Sequence, residues 1–158
     1  MVEGAPQVLI ALEQGLGAVV RQSVWAYPTA NIAHVVGLAV LAGAVAVMDA
    51  RLLGLGGATP WPSVVRPTQR VAAVALAVML ATGFALFAAE ASHLAQNPVF
   101  LVKMGLLAAA LANAGVAAWL LRGLAPDAAV PPALRASAGL SLALWLAIAA
   151  AGRTIAYV

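Results

Sequence analysis

Four stretches of this chain carry no charged side chain unless a histidine takes a proton: residues 31–48, 71–89, 104–121 and 136–152. At about 1.5 Å of rise per helical residue, helices built around them reach across a hydrocarbon core about 30 Å thick, the last with the least margin. The expected fold class is therefore all-α, an integral membrane four-helix bundle. Composition agrees, since 65% of the 158 residues are hydrophobic, 8% are charged and the mean hydropathy is +1.03, against about 25% charged residues in a soluble domain. One membrane domain spanning 1–158 uses up the chain, with spans expected at about 29–53, 70–91, 99–121 and 134–152.

Ahead of the first span, residues 6–23 read as an amphipathic interfacial helix. Leu9, Leu12, Leu16, Val19 and Val20 share one side, and Gln7, Gln14 and Arg21 recur at heptad spacing on the other, a pattern suited to lying along a membrane surface. The aromatic step Trp25 to Pro28 follows it and is expected to end it, with the first span starting near Thr29. GLGGATPWPS is expected to be a loop closed by Arg66, Pro67 and Arg70, and GLAPDAAVPP a second one. No positively charged segment precedes the first apolar residues, where Glu3 stands instead, so a cleaved signal peptide is not expected. Ala39 with Gly43 and Ala108 with Ala112 have the small-xxx-small spacing that lets helices approach.

Cations divide unevenly between the two ends of such a bundle. Arg51, Arg66, Arg70, Arg122 and Arg135 flank the loops joining spans one to two and three to four, whereas Arg21, Lys103 and Arg153 belong to the other side. The positive-inside rule then places both loops in the cytoplasm of a bacterial inner membrane and both termini outside. The basic residues form no run that could track a phosphate backbone, so nucleic acid is not an expected partner; the lipid bilayer is. Absence of cysteine excludes disulfides, thiolate metal sites and covalent haem attachment. A metal ligand must be His, Met or an oxygen.

Polar residues inside spans are the candidates for chemistry. Asn31, His34, Leu38, Leu41, Val45 and Asp49 follow helical spacing along one face of span one, and Thr82, Gly83, Glu90 and His93 form a second stripe in span two. His34, Glu90, His93, Lys103 and Arg153 all belong to the end of the bundle opposite the two loops. One reading is a haem b site: His34 as axial and metal ligand, His93 as second ligand, Gly37 giving a flat macrocycle room, Lys103 and Arg153 meeting propionates, Glu90 relaying protons, and Trp145 with Phe87 lining a quinone entrance. Ligation by both histidines requires span two to reach His93; if it stops at Glu90, Met104, water or no group stands opposite His34. The plainer reading makes His34 a hydrogen-bonded buried imidazole, His93 a solvated loop residue, and Glu90, Lys103 and Arg153 charges at span ends. Asp49 and Arg51 then mark the cytoplasmic end of span one, pairing with Arg122, and Asn113 joins helices. GLGG lacks the strand and the GK[ST] of a phosphate loop, Met48, Met79 and Met104 read as packing residues, and no nucleophile has a histidine and acid at workable spacing.

The runs YPTANIAHVVGLAVLAGAVAVMDARLLG, NPVFLVKMGLL and GRTIAYV resemble a family of small uncharacterised bacterial four-helix membrane proteins. More distantly, the early His34 and the step from Phe100 to Lys103 are similar to the copper-resistance D membrane domain and to HemJ-type protoporphyrinogen oxidases. The latter resemblance implies haem and points to His34, although this chain is shorter and has two histidines. Small quinone-linked b-type cytochromes share the four-helix plan. The expectation carried forward is a membrane oxidoreductase moving electrons between quinone or quinol and a partner or oxidant at the outer face, as a monomer or homo-oligomer; the alternative is a non-enzymatic membrane subunit or metal-handling permease component without haem.

Overall fold

A computed structural model of the chain describes residues 6–57 and 59–157; Glu3, and the expectation attached to it, lies outside the described residues. Among these the secondary structure is helical throughout. Four helices are long and apolar enough to cross a membrane: α3 (Ala26–Leu52), α4 (Trp61–Ala89), α6 (Pro98–Arg122) and α7 (Pro132–Thr154). Ahead of them, α1 (Gln7–Leu12) runs through a π-helical turn, Glu13–Gly17, into α2 (Ala18–Gln22), and a one-turn helix α5 (Ala91–Leu94) follows α4.

Local chemistry explains the boundaries. Ser23 is extended, at φ −79° and ψ 122°, and its hydroxyl accepts the N–H groups of Trp25 and Ala26 at 3.4 and 3.1 Å, capping the start of α3. Pro28 therefore sits within the first turn, where proline is tolerated, and the helix starts at Ala26 rather than near Thr29. Asn97 caps α6, its side-chain oxygen accepting from Val99 and Phe100 at 2.9 and 3.1 Å, with Pro98 in the first helical position. Gly54, at φ +104°, ends α3 in a backbone conformation that side chains with a Cβ resist.

The second long helix departs most from expectation. It begins at Trp61, not near residue 70, so WPSVVRP belongs to α4 and the loop is confined to the segment between Leu52 and Trp61. Pro62 occupies the first turn, and Pro67 is accommodated inside the helix. Proline there removes one backbone donor, and the adjacent Thr68 hydroxyl donates to the Val64 carbonyl at 2.7 Å in the same turn.

The four long helices do not close into a ring of equal contacts. α3 packs along α4 and against α7, and α7 packs along α6, giving the spatial order α4, α3, α7, α6. Leu52, Trp61, Val65, Leu134 and Ala138 form a buried cluster at the end bearing the two long loops, and Leu41, Val45 and Ala75 form a second nearer mid-bundle. Close approach comes from Gly37, where an added Cβ would lie 2.9 Å from Met79 Cγ. The small-xxx-small pairs do otherwise: Ala39, Gly43, Ala108 and Ala112 are exposed and face away from the bundle.

The N-terminal segment is attached through Gly17 and Val20, which are buried, and through Glu13 and Arg21, while Gln7 and Gln14 stay exposed. Glu13 accepts the backbone N–H of Ser92 at 3.0 Å and the Ser92 hydroxyl. Arg21 pairs with Glu13 at 3.1 Å and donates to the Ala89 carbonyl, one of the carbonyls left without a helical partner where α4 ends. Gly17 lies directly on the backbone of Ala88, whose oxygen would be 2.1 Å from a Cβ. Val8, Leu16 and Val19 are left exposed, an apolar edge suited to lipid.

Candidate functional site

Because α4 and α6 stand apart in this order, a cleft opens between them, with α3 and α7 behind. It encloses a cavity of about 470 Å³ in the half of the bundle nearer the termini, within the range of small-molecule sites. Its walls are aromatic and aliphatic, and among them are Phe84 and Phe87 from α4, Phe100 and Met104 from α6, and Trp145 from α7. Phe87 and Phe100 stack across the cleft with ring centroids 5.5 Å apart. Two ionisable side chains line it, His34 and Lys103.

The imidazole of His34 is held in one orientation. Its Nδ1 lies 3.0 Å from Thr82 Oγ1, and that hydroxyl in turn donates to the Val78 carbonyl at 2.8 Å. A hydroxyl has a single proton, so the partner of its lone pair must be a donor. With the Thr82 proton given to Val78, Nδ1 is the donor in this contact and the ring's lone pair is on Nε2. The ring lies flat on α4 where Gly83 leaves space: a Cβ there would be 3.1 Å from His34 Cε1. Lys103, in the second turn of α6, crosses to α7, its Nζ 3.5 Å from the position a Gly152 Cβ would take.

The other candidates lie apart from this pair. α4 stops at Ala89, with Glu90 at φ −138° and ψ 34° breaking the helical phase, so His93 sits on α5, exposed and off the cavity wall. Glu90 is exposed and is not on the cavity wall. Arg153 is exposed, covers the Tyr157 ring at 4.7 Å and donates to its hydroxyl. Gly37 is buried against α4 by Met79 and so gives no room to a macrocycle. His34 and Lys103 are thus brought together, and His93, Glu90, Arg153 and Gly37 are not. Among the described residues no group of three or more His, Cys, Asp or Glu could hold a metal ion.

A second polar cluster occupies the opposite half of the bundle. Asp49 is buried, 2% exposed, and lines a cavity of about 180 Å³ together with Gln69, Asn113, Ser137 and Ser141. Asn113 and Ser137 satisfy each other, the amide donating to the Ser137 carbonyl at 3.0 Å and accepting the Ser137 hydroxyl at 2.9 Å. Asp49 does not pair with Arg122: the one ion pair among the described residues joins Arg21 to Glu13. Arg51 instead turns to the carbonyls of Leu55 and Thr59. The placement of Asp49 on the His34 face of span one was the available signal, and its nearness to Arg51 masked it.

Residues 14–158 match the model described as a family of unknown function (DUF6644). The chain belongs to that family. No curated protein matches, and no solved structure matches.

Proposed function

We propose that this DUF6644 membrane protein holds a flat, largely apolar redox group in the cleft between α4 and α6, a b-type haem with His34 as its axial ligand. In this reading it passes electrons between a membrane quinol or quinone and a partner or small oxidant on the terminal side of the bundle, outside a bacterial cytoplasmic membrane. The observation that carries it is the contact of His34 Nδ1 with the Thr82 hydroxyl, which fixes the ring and, with that hydroxyl turned to Val78, leaves a lone-pair nitrogen on a residue that lines an aromatic cavity. An imidazole oriented by a hydrogen bond at its other nitrogen is the usual form of a histidine ligand.

The residues fit a haem carried by one imidazole. They do not fit ligation by two histidines, because α5 reaches the cavity wall through Leu94 while His93 is exposed and off that wall. Bound haem would supply one-electron chemistry through its iron. Lys103 provides the ammonium to meet a propionate carboxylate, and Phe84, Phe87, Phe100 and Trp145 keep water from the ring faces. Met104 lines the same cavity and is the side chain available as a second ligand.

A second reading follows from Lys103. One acceptor, His34 Nε2, and one donor, the Lys103 ammonium, on the same cavity suit the two oxygens of a quinol head group bound without haem, one hydroxyl donating to Nε2 and the other accepting from the ammonium. The metal-handling alternative has less behind it, since no set of three hard or imidazole ligands gathers among the described residues.

An absorbance spectrum separates these readings. Protein purified from haem-replete cells is expected to show a Soret band that shifts on dithionite reduction, disappears in His34→Ala and is unchanged in His93→Ala. Colourless wild-type protein overturns the haem reading. Co-purification of a quinone that is lost in Lys103→Ala then supports the second.

A further inference from the structure

We infer that Asp49, with Ser141, Asn113 and Gln69 around it, forms a proton-binding site inside the membrane, separate from the His34 cleft. The carboxylate is 2% exposed, and its Oδ2 has no hydrogen-bond partner among the described residues. It faces a cavity of about 180 Å³ whose polar walls come from every other span: Gln69 from α4, Asn113 from α6, Ser137 and Ser141 from α7. Ser141 lines the same cavity as the carboxylate.

An ionised carboxylate in such a place needs a compensating positive charge, and no cationic side chain supplies one. Asp49 is the single ionisable residue lining the cavity. On the elements packed around it, Arg66 and Arg70 of α4, Arg122 of α6 and Arg135 of α7 are exposed, and Arg51 of α3 is occupied by backbone carbonyls. A dehydrated metal ion would need a shell of oxygens, but Asn113 and Ser137 are committed to each other, leaving the carboxylate, Ser141 and Gln69 among mainly apolar walls. The proton is the cation that needs no such shell. Asp49 lies three residues before the end of α3 at Leu52, about 5 Å along the axis at 1.5 Å per residue, with the buried apolar cluster of Leu52, Trp61, Val65, Leu134 and Ala138 at that end.

The test uses the full chain in phosphatidylcholine vesicles and dicyclohexylcarbodiimide, an apolar reagent that modifies protonated carboxyl groups in membranes, with the adduct located by mass spectrometry. The expected result is an adduct on Asp49 that falls about tenfold per pH unit above its titration midpoint and is indifferent to sodium chloride. Ser141→Ala, which takes a hydroxyl that favours the ionised form out of the cavity, is expected to carry labelling to higher pH while leaving the far-ultraviolet circular dichroism unchanged. Absence of an Asp49 adduct at every pH from about 5 to about 9 overturns the site, as does the same pH profile in Ser141→Ala. Protection by sodium overturns the proton assignment in favour of a metal cation. None of these readouts depends on haem or quinone in the other cleft.

Discussion

A single hydroxyl decides which nitrogen of His34 is available. Thr82 gives its proton to its own helix and its lone pair to the imidazole, so the replacement of one side chain on α4 acts on a residue of α3. Thr82→Val keeps the shape and removes both bonds. Ligand affinity at His34 is expected to fall roughly tenfold or more, as is usual when the group behind a histidine ligand is lost, with thermal stability nearly unchanged; titration of haem into apoprotein measures the former and a melting curve the latter. Sequence alone exposed His34 and Thr82 as residues on facing stripes, because helical spacing fixes which side of a helix a residue occupies. It could not show Lys103 reaching Gly152, nor that Gly37 is filled by Met79, since both depend on how far apart two helices settle. Asp49 was misread for the same reason. Two positions from Arg51 it looks like a span-end charge, and the side chains that surround it come from three other helices whose register along the bundle is not written in their order.

At the scale of elements, the break after α4 governs what the terminal side can assemble. Projecting a continuous helix to His93 assumed that the 100° step persists through Glu90. The chain instead leaves helical geometry there, and α1, the π-helical turn and α2 cover the exposed end. Glu13 is the clasp: hydrogen bonds from the Ser92 hydroxyl and backbone, and the Arg21 charge, hold its carboxyl below its ordinary range against an opposing effect of desolvation. A carboxyl with a lowered pKa in the folded state contributes stability that is fully present above its unfolded value, about 4.3, and is lost as pH falls through the folded value. Hydrogen exchange in residues 7–22 is therefore expected to rise below about pH 4, while α3 to α7 remain protected. In Glu13→Gln the segment should exchange faster at neutral pH and lose this acid dependence; an unchanged profile would show that the clasp lies elsewhere. The start of α4 was hidden by its prolines, which read as a loop although one sits in a first turn and the other is followed by the hydroxyl of Thr68.

For the whole molecule, the four spans and their order were legible because hydropathy over a bilayer's thickness is a strong, local signal. Which end faces the cytoplasm depends on the division of Arg51, Arg66, Arg70, Arg122 and Arg135 from Arg21, Lys103 and Arg153. Reporter fusions are expected to place the loop between Leu52 and Trp61 inside and the chain ends outside, and moving two arginines from that loop's flanks to the N-terminal segment should produce mixed or inverted insertion. Uniform insertion in the opposite sense would put the His34 cleft on the cytoplasmic side and reverse the proposed direction of electron delivery. The two cavities share Leu76 and Trp145 as walls. Leu76 and Trp145 are thus positions from which a single substitution can perturb both sites.

The separation of α4 from α6 also sets how a ligand of the large cleft must be counted. A guest that enters between two helices comes from the bilayer, so its relevant concentration is moles per volume of hydrocarbon, not per volume of buffer. A strongly partitioning molecule can saturate such a cleft at trace amounts in a membrane and desert it in excess detergent, because added micelles dilute the guest without changing its total amount. Apparent dissociation constants should therefore climb in proportion to detergent and collapse onto one value when expressed as mole fraction of lipid. Purification in a large micellar volume would strip the cleft, and the same protein in a small nanodisc would keep what it carries in the cell.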